Sequence, residues 1–119
     1  MTIVTAGLNR TAALAESTWT QMKIGTGTTT SDISDTDLET SLFIKVIGII
    51  STSANVIDFK ATFSKTDASS ASNITEIAIF DSATSFMLFH TIASTNTWTS
   101  FAKNSTNNAV ITTYLTVTA

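Results

Sequence analysis

The chain has 119 residues with no Cys and no Pro, and its 6 basic against 9 acidic residues give a net charge of -3 and a pI near 4.7. This excludes a disulfide or thiolate-metal framework and leaves no basic footprint for nucleic acid, while the length suits a single domain over residues 1–119. Charged residues are 13 % of the chain and Ser plus Thr about a third, so hydroxyls wet the surface and neighbouring molecules are repelled little.

From Ala6 to Glu16, Leu8, Ala12 and Ala15 recur at helical spacing among good helix formers, which predicts one short helix. Ser17 to Ile24 places Thr18, Thr20, Met22 and Ile24 on one face of a strand that Gly25 and Gly27 end. The stretch from Gly25 to Glu39 has little apolar content and reads as an extended loop with a helical turn over Asp35 to Glu39. Leu42 to Ile50 is apolar on both faces, as a strand covered on both sides is, with Phe43, Ile47 and Ile49 forming the second face. This nine-residue run contains Lys45 and is too short to span a membrane as a helix.

Val56 to Phe63 alternates cleanly, with Ile57, Phe59, Ala61 and Phe63 inward, and pairs with the preceding strand through the turn STSAN. After a polar loop from Ser64 to Asn73, ITEIAIF and FMLFHTI flank DSATS as a second hairpin. A third unit has a strand over Trp98 to Phe101, a turn at KNSTNN and a final strand over Ala109 to Val117. The fold class expected is mainly β, an antiparallel β-sandwich of about seven strands with one short N-terminal helix. Its core is expected to use Phe59, Phe63, Ile77, Ile79 and Leu115. With few Gly and no Pro, the turns are expected to rely on Asn, Asp and Ser, and the sheet edges lack one device that blunts them.

The inventory for catalysis is thin. His90, the single histidine, lies in FMLFHTI beside Phe86, Leu88 and Ile92 at period two and is expected to cap an apolar strand face. Asp32, Asp35, Asp37 and Glu39 form an acidic cluster whose spacing departs from a calcium-binding loop, since the sixth residue counted from Asp35 is Thr40 where Gly is required. IGTGTTT lacks the Lys of a phosphate loop and the third Gly of a dinucleotide fingerprint. Neither a metal, a cofactor nor an enzymatic reaction is expected.

The segments TIVTAGLNRTAALA, IGTGTTTSDISDTDLE and ITEIAIFDSATSFMLF follow one another in an order that resembles a group of bacteriophage virion proteins, tail-fibre-like and head-decoration modules among them. The likeness runs from Thr2 to about Ile92, with Ala78 standing where the EIGLF element carries Gly. It implies a β-rich module built into a phage particle, with no reaction to catalyse. A chain of this length, read as complete, fits a capsid decoration or cement protein on the outer surface of the shell better than a tail, neck or tail-fibre component. A carbohydrate-binding adhesin module is a further alternative. The expected partners are the major capsid protein or another virion protein and further copies of the chain, as a homo-dimer or homo-trimer. The expected contact residues are Thr26, Thr28, Thr29 and Thr30 of the hydroxyl-rich loop, and Phe43, Ile47 and Ile49 of the doubly apolar strand.

Overall fold

Ile57, Phe59, Ala61 and Phe63 are each fully buried, so the alternation of β4 (Val56–Phe63) translates directly into one face turned to the core. In the computed structural model, which describes residues 1–70 and 72–118, β4 is the centre of a three-stranded antiparallel sheet. Its neighbours are β3 (Ile49–Ser53) and β9 (Ala109–Thr116). A second antiparallel sheet has the order β2-β1-β6-β7, built from β1 (Gln21–Gly25), β2 (Ser41–Val46), β6 (Glu76–Phe80) and β7 (Met87–Ile92). Two short strands, β5 (Ser72–Ile74) and β8 (Phe101–Lys103), pair separately. The chain is mainly β, 42 % strand and 13 % helix, with an arrangement compatible with a β-sandwich.

The two larger sheets meet through aromatic contacts. Phe43 of β2 stands edge-on to Phe63 of β4 with ring centroids 6.2 Å apart, and Phe59 faces Phe89 of β7 at the same distance. Met22, Ile24, Ile77 and Ile79 join this core from β1 and β6, where the register sets Met22 opposite Ile79 and Ile24 opposite Ile77. Of the five core residues expected, Phe59, Phe63, Ile77 and Ile79 are buried and Leu115 is partly so. The helix α1 (Thr5–Ala15) buries Ala12 and packs against β3 and β4.

The apolar run Leu42 to Ile50 is not one strand. It breaks at Ile47 and Gly48, where the chain leaves the four-stranded sheet as β2 and enters the three-stranded one as β3. Ile47 turns into the core, 6 % exposed, and its N–H donates to the Thr20 carbonyl at 2.8 Å. Nor are both faces covered, because Ile44, Val46 and Ile49 are 43, 65 and 56 % exposed. The turns follow expectation in part. Backbone angles in the left-handed region fall on Ala54, Ala68, Ser85 and Thr97 and on no Gly. The Asn and Asp residues act instead through their side chains: Asp32 accepts from Ser34 N–H, Asp81 from Ala83 N–H and Asn104 from Thr106 N–H. The four-residue helix α2 (Ala93–Asn96) follows β7 directly, and no feature of the sequence pointed to it.

Candidate functional site

In β6 the residues Glu76, Ala78 and Phe80 alternate with the core pair Ile77 and Ile79, and so lie on the outer face of the four-stranded sheet. All three are nevertheless buried. Their cover is the segment from Thr26 to Thr40, which folds back across this face as a strap. Leu38 packs on Ala78 and Phe80, and Lys23 of β1 lies 4.3 Å over the Phe80 ring while its Nζ reaches Asp37 at 2.8 Å. Backbone and hydroxyl groups complete the attachment. Thr26 N–H donates to the Thr40 carbonyl, the Thr75 hydroxyl to the Gly27 carbonyl at 2.7 Å, and the Ser31 hydroxyl to the His90 carbonyl at 2.8 Å.

Glu76 anchors the strap. Its carboxylate is fully buried and accepts the N–H of Glu39 at 3.2 Å and of Thr40 at 2.8 Å. Gly25 and Gly27 are required by this approach: a Cβ at Gly25 would overlap the Thr40 carbonyl and the Glu76 carboxylate, and one at Gly27 would lie 2.6 Å from the Glu39 Cβ.

His90 does not cap an apolar face. Its ring, 5 % exposed, stands between two carboxylates, with Nδ1 3.4 Å from Asp35 and Nε2 3.4 Å from Glu76. Among the described residues Asp35 is the hydrogen-bond partner of the ring, at Nδ1, while Nε2 is buried beside Glu76 without a hydrogen bond. A cleft of about 310 Å³ opens beside it, lined by Thr29, Thr30, Asp35, Asp37, Glu39 and His90.

The acids of the loop are each occupied locally. Hydrogen bonds from the Ser34 hydroxyl and N–H hold Asp32 below the usual carboxylate range. Burial pushes Asp37 up, but hydrogen bonds from Lys23 and Leu38 and the Lys23 charge outweigh it and leave the group lowered. Hydrogen bonding by Thr29 lowers Glu39. No group of three or more His, Asp or Glu among the described residues is arranged to hold a metal ion.

The expected contact residues are thus divided. Thr28, Thr29 and Thr30 are exposed on the crest of the strap and Thr26 is half-buried, so the loop offers a surface but is not a free arm. Phe43 is spent on Phe63 and Ile47 on the core, which leaves Ile49 exposed. Ile44 and Val46, on the outer face of β2, are exposed as well. A second apolar surface, which periodicity alone did not single out, lies on β9, where Val110 and Tyr114 are 58 and 62 % exposed. A slot of about 430 Å³ lies along that strand, lined by residues 110–114 of β9 and by Ile77, Thr91, Trp98 and Phe101. Compared with known proteins, the chain matches no protein-family model and no curated protein.

Proposed function

We propose that the protein is a structural component of a phage particle, a decoration protein that binds the major capsid protein at the outer surface of the shell as a small homo-oligomer. The observation that carries this reading is the exposure of Ile44, Val46 and Ile49, three branched apolar residues on edge strands in a chain of low charge. The charge between the first two, Lys45, is turned to Asp67 of the same chain. Such a surface is stabilised by an apolar partner and not by water. The likeness of IGTGTTTSDISDTDLE and ITEIAIF to virion modules supports the same reading, and the strap formed by the first of these segments presents Thr28 to Thr30 to the outside. The function is assembly, without catalysis.

The test is to band particles from a phage-producing lysate on a density gradient and probe head and tail fractions for the tagged chain. The expected result is co-migration with heads, lost in an Ile44→Asp, Ile49→Asp variant that remains folded. Migration with tails would move the protein to the tail or neck, and a chain that stays with free protein would overturn the particle reading. The slot carrying Trp98 and Tyr114 favours one second reading, a carbohydrate-binding module, which a glycan-dependent change in Trp fluorescence would support.

A further inference from the structure

Strand β9 is eight residues long and pairs with β4 alone, so one of its edges is open along its whole length. The direction of its peptide groups follows from one bond. Val117 N–H donates to the Asn55 carbonyl at 2.8 Å, and the register from Val56 opposite Thr116 to Phe63 opposite Ala109 has no bulge. Peptide groups alternate sides along a strand. The odd-numbered residues therefore bond to β4, and Val110, Thr112, Tyr114 and Thr116 point their N–H and C=O groups away from it. Among the described residues none of these four has a hydrogen bond to any other segment at that edge. Their side chains lie on the exposed face, so backbone and side chains offer themselves together.

None of the usual protections is present. The strand AVITTYLT has no charge and no Pro, and no bulge twists its edge away. The other strand edges differ. On β7, the His90 carbonyl is taken by Ser31 and the Ile92 N–H by Asn96. β2 carries Lys45, and β3 is shorter, with α1 packed against it.

We infer that β9 is a self-association edge, on which a second copy of this chain docks its own β9 antiparallel about a two-fold axis, giving a continuous sheet β3-β4-β9-β9-β4-β3. The occupant follows from charge and register. A two-fold contact sets one surface against itself, so a charge at the axis would meet its like; a neutral strand suits such a contact. Antiparallel pairing also places partners on the same face. With the axis at Thr112, Thr112 meets Thr112 of the second copy, and Val110 meets Tyr114 in both directions. The two large exposed residues then cover each other as a β-branched–aromatic pair, and the outward N–H and C=O groups of all three positions are satisfied. This names the self-contact of the homo-oligomer in the proposed function, and it is measured on purified protein without particles, so it and particle binding can each fail alone.

The test is sedimentation equilibrium and light scattering on the purified full chain through the micromolar range, with two variants. The wild type is expected to be a dimer. Thr112→Lys, at an exposed position, is expected to give a monomer with an unchanged far-UV spectrum. Because the chain contains no Cys, Thr112→Cys is expected to form a disulfide-linked dimer on mild oxidation, whereas Thr62→Cys, on the neighbouring strand, is not. A monomeric wild type overturns the inference. So does a dimer that survives Thr112→Lys and leaves Thr112→Cys uncoupled, since the second copy then docks elsewhere.

Discussion

Replacing Glu76 with Ala removes the anchor of the strap, and the size of the effect can be worked from its contacts. The carboxylate, fully buried, accepts two backbone N–H groups, at 3.2 Å from Glu39 and 2.8 Å from Thr40. Hydrogen bonds to a charged group contribute about 1.5–3 kcal/mol each, so about 3–6 kcal/mol of attachment is lost. Removing a buried carboxylate also removes its desolvation cost, which offsets part of this and leaves a net destabilisation of about 2–4 kcal/mol. Glu76→Gln keeps one acceptor but points an NH₂ group at the other N–H, and is expected to cost about 1–2 kcal/mol. Urea unfolding measures both, and amide hydrogen exchange at Glu39 and Thr40 should speed up in Glu76→Ala while β4 keeps its protection. Gly27→Ala supplies a cross-check, because part of its cost comes from overlap with Glu76 and should vanish in the Glu76→Ala background. If Glu76→Ala costs less than about 1 kcal/mol and exchange at Glu39 and Thr40 is unchanged, the strap is held by something else and the anchor reasoning fails.

Phe59→Ala is expected to cost about 3–5 kcal/mol by urea unfolding, as a fully buried aromatic truncation does; a loss below about 1 kcal/mol would mean that the ring does not join the two sheets. Asp32, Asp37, Glu39, Asp67 and Asp81 are all lowered in the folded chain from ordinary values of 3.8 for Asp and 4.5 for Glu. The unfolded chain therefore binds protons first, so their contribution is complete above those ordinary values and is lost as pH falls through the lower folded ones. A melting temperature that stays level from neutral pH down to about pH 5 and then drops is the expected profile, and one that rises on acidification contradicts it.

The parts of the fold readable from the sequence are those where one face is wet and the other dry. Ile57, Phe59, Ala61 and Phe63 alternate with Asp58, Lys60 and Thr62, and a period of two then fixes both the strand and its facing. Leu42 to Ile50 was misleading for the opposite reason: with both faces apolar, periodicity has no contrast, and nothing local marks Gly48 as the point where the chain changes sheets. Gly48 has no atom within 4 Å of an added Cβ and no positive φ, so neither space nor backbone angle requires Gly at the bend.

Glu76 was hidden in another way. In ITEIAIF it reads as a wet-face residue, and its burial depends on a strap that begins fifty residues earlier in the chain. A faint signal existed. Gly25 and Gly27, two of the chain's 4 Gly, stand two apart after a strand, a spacing that leaves room on one face for a side chain from elsewhere. The same strap explains His90, whose apolar neighbours Leu88 and Ile92 gave no hint that Asp35 and Glu76 would lie on either side of the ring. The exposed loop threonines, Thr28 to Thr30, were legible because a run of hydroxyls following a glycine has no apolar face to bury.

The placement of β6 and β9 has a consequence for how the chain acquires its structure. β1 at Gln21 to Gly25 finds its inner partner only at Glu76 to Phe80, and β4 at Val56 to Phe63 waits for Ala109 to Thr116. Neither large sheet can close from neighbouring segments, which puts the protein among slow folders, on the order of milliseconds to seconds. During synthesis, β4 emerges with its apolar face formed by sequence but one of its two flanking strands not yet made. The few charges nearby, Asp58 and Lys60, sit on the alternate face of that same strand, and charges placed beside an apolar face oppose aggregation while a partner strand is missing.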